Sequence, residues 1–229
     1  MTLTYIISRS AWSAFLAAAL ASMLVLVSFF MLEPKVGLAI GDSFKVTQSI
    51  TSEISFVATA NDVTMSPSIA GLTGGTSSGS TTVRVRTNND TGYNMTLAFS
   101  TSTAMTRNGG GGVINNYNPA SAGTPDYTFA SEAFAQFGYT ILASTTSDVD
   151  ATFLDNGSNT CATGASNGAN TCWYNPSTTA ETIINRATAT APSGATTTIA
   201  FRVNVPSNPS PAVQEGTYVA TATLTAVTN

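Results

Sequence analysis

Carboxylates are the first residues to examine for chemistry, because this chain carries few other reactive side chains. Five of its twelve acids fall close together: Asp126, Glu132, Asp148, Asp150 and Asp155. Clustered carboxylates can hold a hard cation such as calcium, with Asp148, Asp150 and Asp155 as the candidate ligands. Their spacing departs from an EF-hand loop, since Phe153 stands where that loop needs glycine. A solvated acidic loop is the plainer reading. A carboxylate pair for glycoside hydrolysis could be drawn from the same set, but it needs two groups converging in a cleft. The sequence contains no histidine, which excludes Ser-His-Asp and Cys-His catalysis and His-ligated zinc. Lys45 is the only lysine beyond the first forty residues, so Ser-Lys chemistry has almost no raw material. No catalytic residue and no cofactor is expected.

Aromatic residues offer a second kind of site. Trp173 and Tyr174 follow Cys172 directly, and Tyr117 and Tyr127 lie upstream. A rigid aromatic platform on a pinned loop would suit sugar or peptide contact. The competing reading has Trp173 covering a disulfide at one end of the domain. The two cysteines, Cys161 and Cys172, sit in a Gly/Asn/Ser-rich segment. They do not form a C-x-x-C motif and have no neighbouring Lys or Arg. In an exported chain they read as one local disulfide.

Export is itself read from the N-terminus. Arg9 precedes an apolar run from Ala11 to Leu32, interrupted only by serines, and Glu33, Pro34 and Lys35 end it. Gly37 and Ala39 fit a secretory cleavage site after Ala39. The run is longer than the usual ~7–15 residues of a signal core and long enough to span a bilayer. A cleaved signal peptide and an uncleaved anchor are both open for residues 1–39. Either way residues 40–229 are expected outside the cytoplasm as one domain, touching membrane only through the N-terminal segment.

Composition then bounds the exported part. Thr, Ser, Asn and Gly number 38, 26, 17 and 18 of 229 residues, while only 9% are charged and the net charge is −4. Six scattered arginines and two lysines cannot track a phosphate backbone, so no nucleic-acid partner is expected. Apolar and polar residues alternate in several stretches. Phe44, Val46, Ile50, Ile54 and Phe56 share one parity, predicting a strand, or two strands in one register, over 43–56 with one face buried. Val83 and Val85 against Arg84 and Arg86, then Met95, Leu97 and Phe99, predict a hairpin about the Asn88–Gly92 turn. Residues 71–80 read as a flexible turn and 137–143 as a strand. Residues 131–135 read as a short helical turn within a long decorated insertion, 101–182. Residues 196–205 and 216–227 predict the last two strands. Seven to ten strands with Gly/Pro/Asn turns and almost no amphipathic helix predict an all-β fold, an antiparallel Ig-like β-sandwich.

Residues 193–226, S-G-A-T-T-T-I-A-F-R-V-N-V-P through E-G-T-Y-V-A-T-A-T-L-T-A, resemble the closing strands of exported bacterial surface domains. So does T-T-V-R-V-R-T-N-N-D-T-G-Y-N-M-T-L at 81–97. Together they are similar to Ig-like and WxL-type cell-wall proteins and to uncharacterised surface proteins of small-genome bacterial lineages. The WxL tryptophans are absent: the matching positions read Met95-Thr96-Leu97 and Ala222-Thr223-Leu224. The resemblance implies an Ig-like surface domain but not WxL-style wall binding. The expected role is that of a cell-surface structural or interaction protein, a subunit that assembles with itself into a layer or fibre. The alternative is a carbohydrate-binding or adhesive module, its aromatic, disulfide-pinned insertion contacting surface glycans.

Overall fold

The computed structural model describes residues 9–31 and 41–229. Among the described residues the one α-helix is α1 (Arg9–Met31). Ten strands follow: β1 (Ile54–Ala58), β2 (Gly75–Thr87), β3 (Tyr93–Phe99), β4 (Met105–Arg107) and β5 (Val113–Asn116), then β6 (Gln136–Ala143), β7 (Glu181–Arg186), β8 (Ala195–Val205), β9 (Tyr218–Ala220) and β10 (Ala222–Thr228). Residues Met1–Ser49 and Ile50–Asn229 are separate units. In α1, the stretch Ala11–Met31 is apolar and long enough to cross a membrane. That is compatible with an export signal and equally with an anchor. The proposed cleavage point, Ala39, lies outside the described residues.

The strands of the second unit form two sheets. The larger has the order β1-β2-β8-β6-β5-β4-β9 and curls into a half-barrel. The smaller has the order β10-β3-β7. All pairings are antiparallel except the short one between β5 and β6. Alternation decides what each strand buries: in β2, Val83 and Val85 face inward while Arg84 and Arg86 stay exposed. In β3, Tyr93, Met95, Leu97 and Phe99 are all buried. The inner faces meet in one core, where Phe99 of the small sheet packs edge-on against Phe137 (5.9 Å) and beside Tyr139 (5.7 Å) of the large one.

Six expectations are corrected. Residues 43–53 are not strand; β1 starts only at Ile54, and Phe44, Val46 and Ile50 are exposed. The pair 81–87 and 93–99 is not a hairpin. The Asn88–Gly92 turn carries the chain from one sheet to the other, so β2 pairs with β8, and β3 with β10 and β7. The single strand read at 216–227 breaks at Thr221, with β9 pairing in the large sheet and β10 in the small one. Residues 131–135 are irregular, and Gly75–Ser80 belong to β2 instead of a turn. Finally, 101–182 is no insertion, because it supplies β4, β5 and β6, and β6 sits inside the large sheet.

β7 escaped the periodicity reading for a local reason. The pairing of Met95 with Ile184 and of Thr96 with Thr182 leaves Ile183 as an extra residue. That bulge buries Ile183 and Ile184 together, so the strand does not alternate.

Candidate functional site

Alternation along β10 is the starting point of the site. Leu224 and Ala226 pair with Leu97 and Met95, both fully inward, yet they remain half-exposed. Phe201 is likewise only half-buried, although it points inward from β8 between the buried Ile199 and Val203. Leu224 and Phe201 line a groove of about 1310 Å³ between the sheets. Its floor includes Leu97, Phe99, Phe137, Ile199, Phe201 and Val203. One wall is the chain at 59–72 and the other the chain at 213–222. The first wall is tied down: Asn61 N–H donates to Thr81 Oγ1 (2.8 Å), and Ser66 and Ser78 exchange backbone hydrogen bonds (2.9 and 3.0 Å). Gly71 lies where a Cβ would stand 2.8 Å from the Val213 carbonyl oxygen, so the two walls meet there.

β10 borders this groove as a sheet edge. Ser100 N–H donates to the Thr221 carbonyl (2.9 Å) and Asn229 N–H to that of Gly92 (3.3 Å). In an antiparallel pair this phase directs the odd-numbered residues of β10 at β3. It turns the backbone groups of 222, 224, 226 and 228 to the free edge. Of these, Ala222 and Leu224 line the groove. β10 carries no charge and no proline, the devices that normally keep an edge from pairing.

The aromatic platform is elsewhere, and it is not a surface. Trp173 is 0% exposed, Tyr117 and Tyr174 are buried, and Tyr127 is half-buried. Trp173 donates its indole N–H to the Asn170 carbonyl (3.0 Å) and packs edge-on against Phe129 (5.4 Å). The Arg202 guanidinium stands 4.4 Å over its ring, and burial pulls the Arg202 pKa down. Tyr117 donates to Asp126 (2.7 Å) and stacks obliquely on Phe129. With Gly138 of β6 against the Tyr117 ring, this cluster roofs the outer face of the large sheet. Residue types alone could not tell a platform from a roof, and the roof is what forms.

The three aspartates do not converge on a cation. Asp148 is ion-paired with Arg186, and Asp150 accepts from Thr152 N–H (2.9 Å) to cap the turn at Ala151–Phe153. Asp155 accepts from the N–H groups of Gly157 (2.7 Å) and Gly168 (3.3 Å). Among the described residues no three Asp, Glu, Cys or His side chains form a metal-holding group. Cys161 and Cys172 are bonded, as two cysteines in an exported chain led one to expect. Of the expected site residues, only this pair is brought together in the expected role. The groove was missed in the sequence, and its one legible sign was the uncharged final strand.

Compared with known protein families and with curated proteins, the chain matches none.

Proposed function

We propose that this is an exported structural and interaction protein of the cell surface, an Ig-like sandwich one strand short, which works by accepting an extended chain in its inter-sheet groove. The observation that carries this reading is the apolar groove running beside an uncharged, unpaired edge strand. At about 1310 Å³ it exceeds the ~300–1,000 Å³ of most small-molecule sites. Backbone pairing along an edge gives affinity, and alternate side chains in the groove give selectivity. Export is supported by the apolar α1 and by the disulfide, a bond that persists in oxidising compartments. The protein is not an enzyme in this reading: the groove floor is aliphatic and aromatic, and the two carboxylates in its lining, Asp62 and Glu215, belong one to each wall. Burial of Trp173 removes the feature on which a glycan-binding role rested.

Leu224→Asp places a charge at the groove mouth on a half-exposed position. The variant should keep its far-ultraviolet circular dichroism and lose association, read as sedimentation at the monomer mass. Unchanged association in a folded Leu224→Asp protein would falsify the groove as the interaction site.

A further inference from the structure

We propose that Asn156 modifies itself: the loop at 155–160 is built to close the Asn156 side chain onto the Gly157 amide nitrogen, expelling ammonia and leaving an acidic residue. The chain has three Asn-Gly pairs, at 108–109, 156–157 and 167–168. An asparagine carboxamide and the next backbone nitrogen join in a five-membered ring, and glycine offers that nitrogen with the least hindrance. Residue types make all three pairs candidates, and the structure separates them. At Asn167 both ends of the carboxamide are tied: Nδ2 donates to the Ile141 carbonyl (2.9 Å) and Oδ1 accepts from Ala143 N–H (3.0 Å). Turning it towards Gly168 breaks two bonds within the fold. Asn108 is exposed, and a Cβ at Gly109 would meet nothing within 4 Å. Reaction there meets neither obstacle nor help.

Asn156 has help at each reacting atom. Gly157 N–H donates to Asp155 Oδ1 (2.7 Å), so a carboxylate already holds the proton that the attacking nitrogen must lose. Asn156 Oδ1 accepts from the N–H groups of Ser158 (3.0 Å), Asn159 (3.1 Å) and Thr160 (3.2 Å). These three donors face the oxygen on which negative charge develops as Cγ becomes tetrahedral. Asn156 itself is exposed, which gives the leaving ammonia an open way out. A Cβ at 157 would touch only Ser166 Oγ, at 3.6 Å. The frame around these atoms is fixed. Asp155 Oδ2 accepts from Gly168 N–H and the Thr171 hydroxyl (both 3.3 Å), and its backbone exchanges hydrogen bonds with Ser166 (2.8 and 3.0 Å). Asn156 N–H closes the turn on the Thr160 carbonyl (3.1 Å). No partner of Asp155 titrates: Cys161, bridged to it through the backbone, is bonded to Cys172. Asp150, the nearest other carboxylate in sequence, is engaged by Thr152 N–H.

The step balances with water as its only co-reactant. The Gly157 nitrogen bonds to Asn156 Cγ as its proton passes to Asp155. The Cγ–Nδ2 bond then breaks and ammonia leaves with that proton, which restores the Asp155 carboxylate. The succinimide takes up water at either carbonyl and opens to aspartate or isoaspartate at 156. An exposed neutral residue thereby becomes an anion beside Asp155.

Peptide mapping by mass spectrometry tests this on the full-length chain, incubated either native or unfolded in guanidinium with the disulfide reduced. In the native protein Asn156 should react about 100-fold faster than in the unfolded chain and faster than Asn108, the lower end of what a placed general base contributes. Its rate should stay level from pH ~6 to ~8, where carboxylates are ionised, because Asp155 and not hydroxide takes the proton. In the unfolded chain all three pairs should react alike, in proportion to hydroxide. Asp155→Asn with unchanged circular dichroism should bring Asn156 down to the rate of Asn108. Should that variant fail to fold, the pH profile of the unaltered protein decides. A native rate at Asn156 below that of the unfolded chain means that the bonds protect the residue, and overturns the proposal. A native rate that climbs with hydroxide, or an Asp155→Asn protein that reacts as fast as the unaltered one, overturns it too.

Discussion

At the residue scale, buried polar atoms without partners are the most informative features. Gln136 is fully buried and neither atom of its amide meets a hydrogen-bonding group. Leaving such an amide unpaired costs about 1–3 kcal/mol, while an apolar side chain of similar shape avoids the penalty. Gln136→Met should therefore stabilise the protein by about 1 kcal/mol, visible as a rise of about 3 °C in a reversible thermal melt. A fall in the melting temperature would mean that the amide has a partner after all. Tyr93 is a second such group, its hydroxyl buried without a partner. Burial, reinforced by the Asp148 charge and opposed by Arg186, pushes its pKa up to about 12. Burial also raises Tyr117, Tyr139 and Tyr174. A tyrosine whose folded pKa exceeds its unfolded value near ~10 binds its proton more tightly when folded. Its contribution is thus complete below pH ~10 and is lost as pH rises from there towards the folded value. Urea midpoints should hold up to pH ~10 and fall steadily above it. Tyr93→Phe should make that fall shallower, with the tyrosinate difference absorbance of the native protein losing a component near pH 12.

At the element scale, the turns that move the chain between sheets matter more than the strands they join. Gly92 closes the turn from β2 to β3 at φ +79°, and a Cβ there would stand 2.0 Å from the Arg186 carbonyl oxygen. Both the left-handed backbone and the clash with main chain forbid a side chain. Gly92→Ala should cost about 2–4 kcal/mol, measurable as a reduced urea midpoint or as loss of soluble protein. The disulfide loop behaves differently, because it has other attachments. Asn167 donates to the Ile141 carbonyl (2.9 Å) and accepts from Ala143 N–H (3.0 Å), and Thr140 donates to the Thr171 carbonyl. Replacing both Cys161 and Cys172 with Ser should remove about 3 kcal/mol and leave the β-sheet spectrum in place. Faster proteolysis confined to 161–172 would accompany it, whereas loss of the whole fold would give the bridge a larger role than these bonds imply.

At the scale of the whole molecule, one strand crossing from sheet to sheet at Thr221 leaves the groove open beside β10. β9 must pair with β4 in the large sheet, while β10 pairs with β3 in the small one. That small sheet has only three strands to cover a sheet of seven. The faces left uncovered along the groove are mainly apolar, with Asp62 and Glu215 the charges on its walls. Association through them should be nearly independent of salt, changing less than about twofold between low and high ionic strength, since screening acts on charges. A steep salt dependence of the sedimentation profile would point to charged surfaces instead.

Several properties were settled by residue types alone. The absence of histidine and the scarcity of charge bound the chemistry, the apolar run before Glu33 yielded α1, and the pair of cysteines in an exported chain yielded the disulfide. Strands β3, β6 and β8 were readable because period-two alternation is a local consequence of one buried face. Tertiary structure decided the rest. Alternation tells which side chains turn inward but not which strand lies alongside, so β2 and β3 read as a hairpin although they belong to opposite sheets. Strong alternation over 44–50 read as a strand, yet β1 begins only at Ile54. Trp173 could be platform or roof until Arg202 and Phe129 covered it. The groove appears in no single segment, because its floor comes from β3, β6 and β8 and its walls from two distant loops. Pairing and covering are long-range choices, set by where turns send the chain and how much apolar surface each sheet can reach.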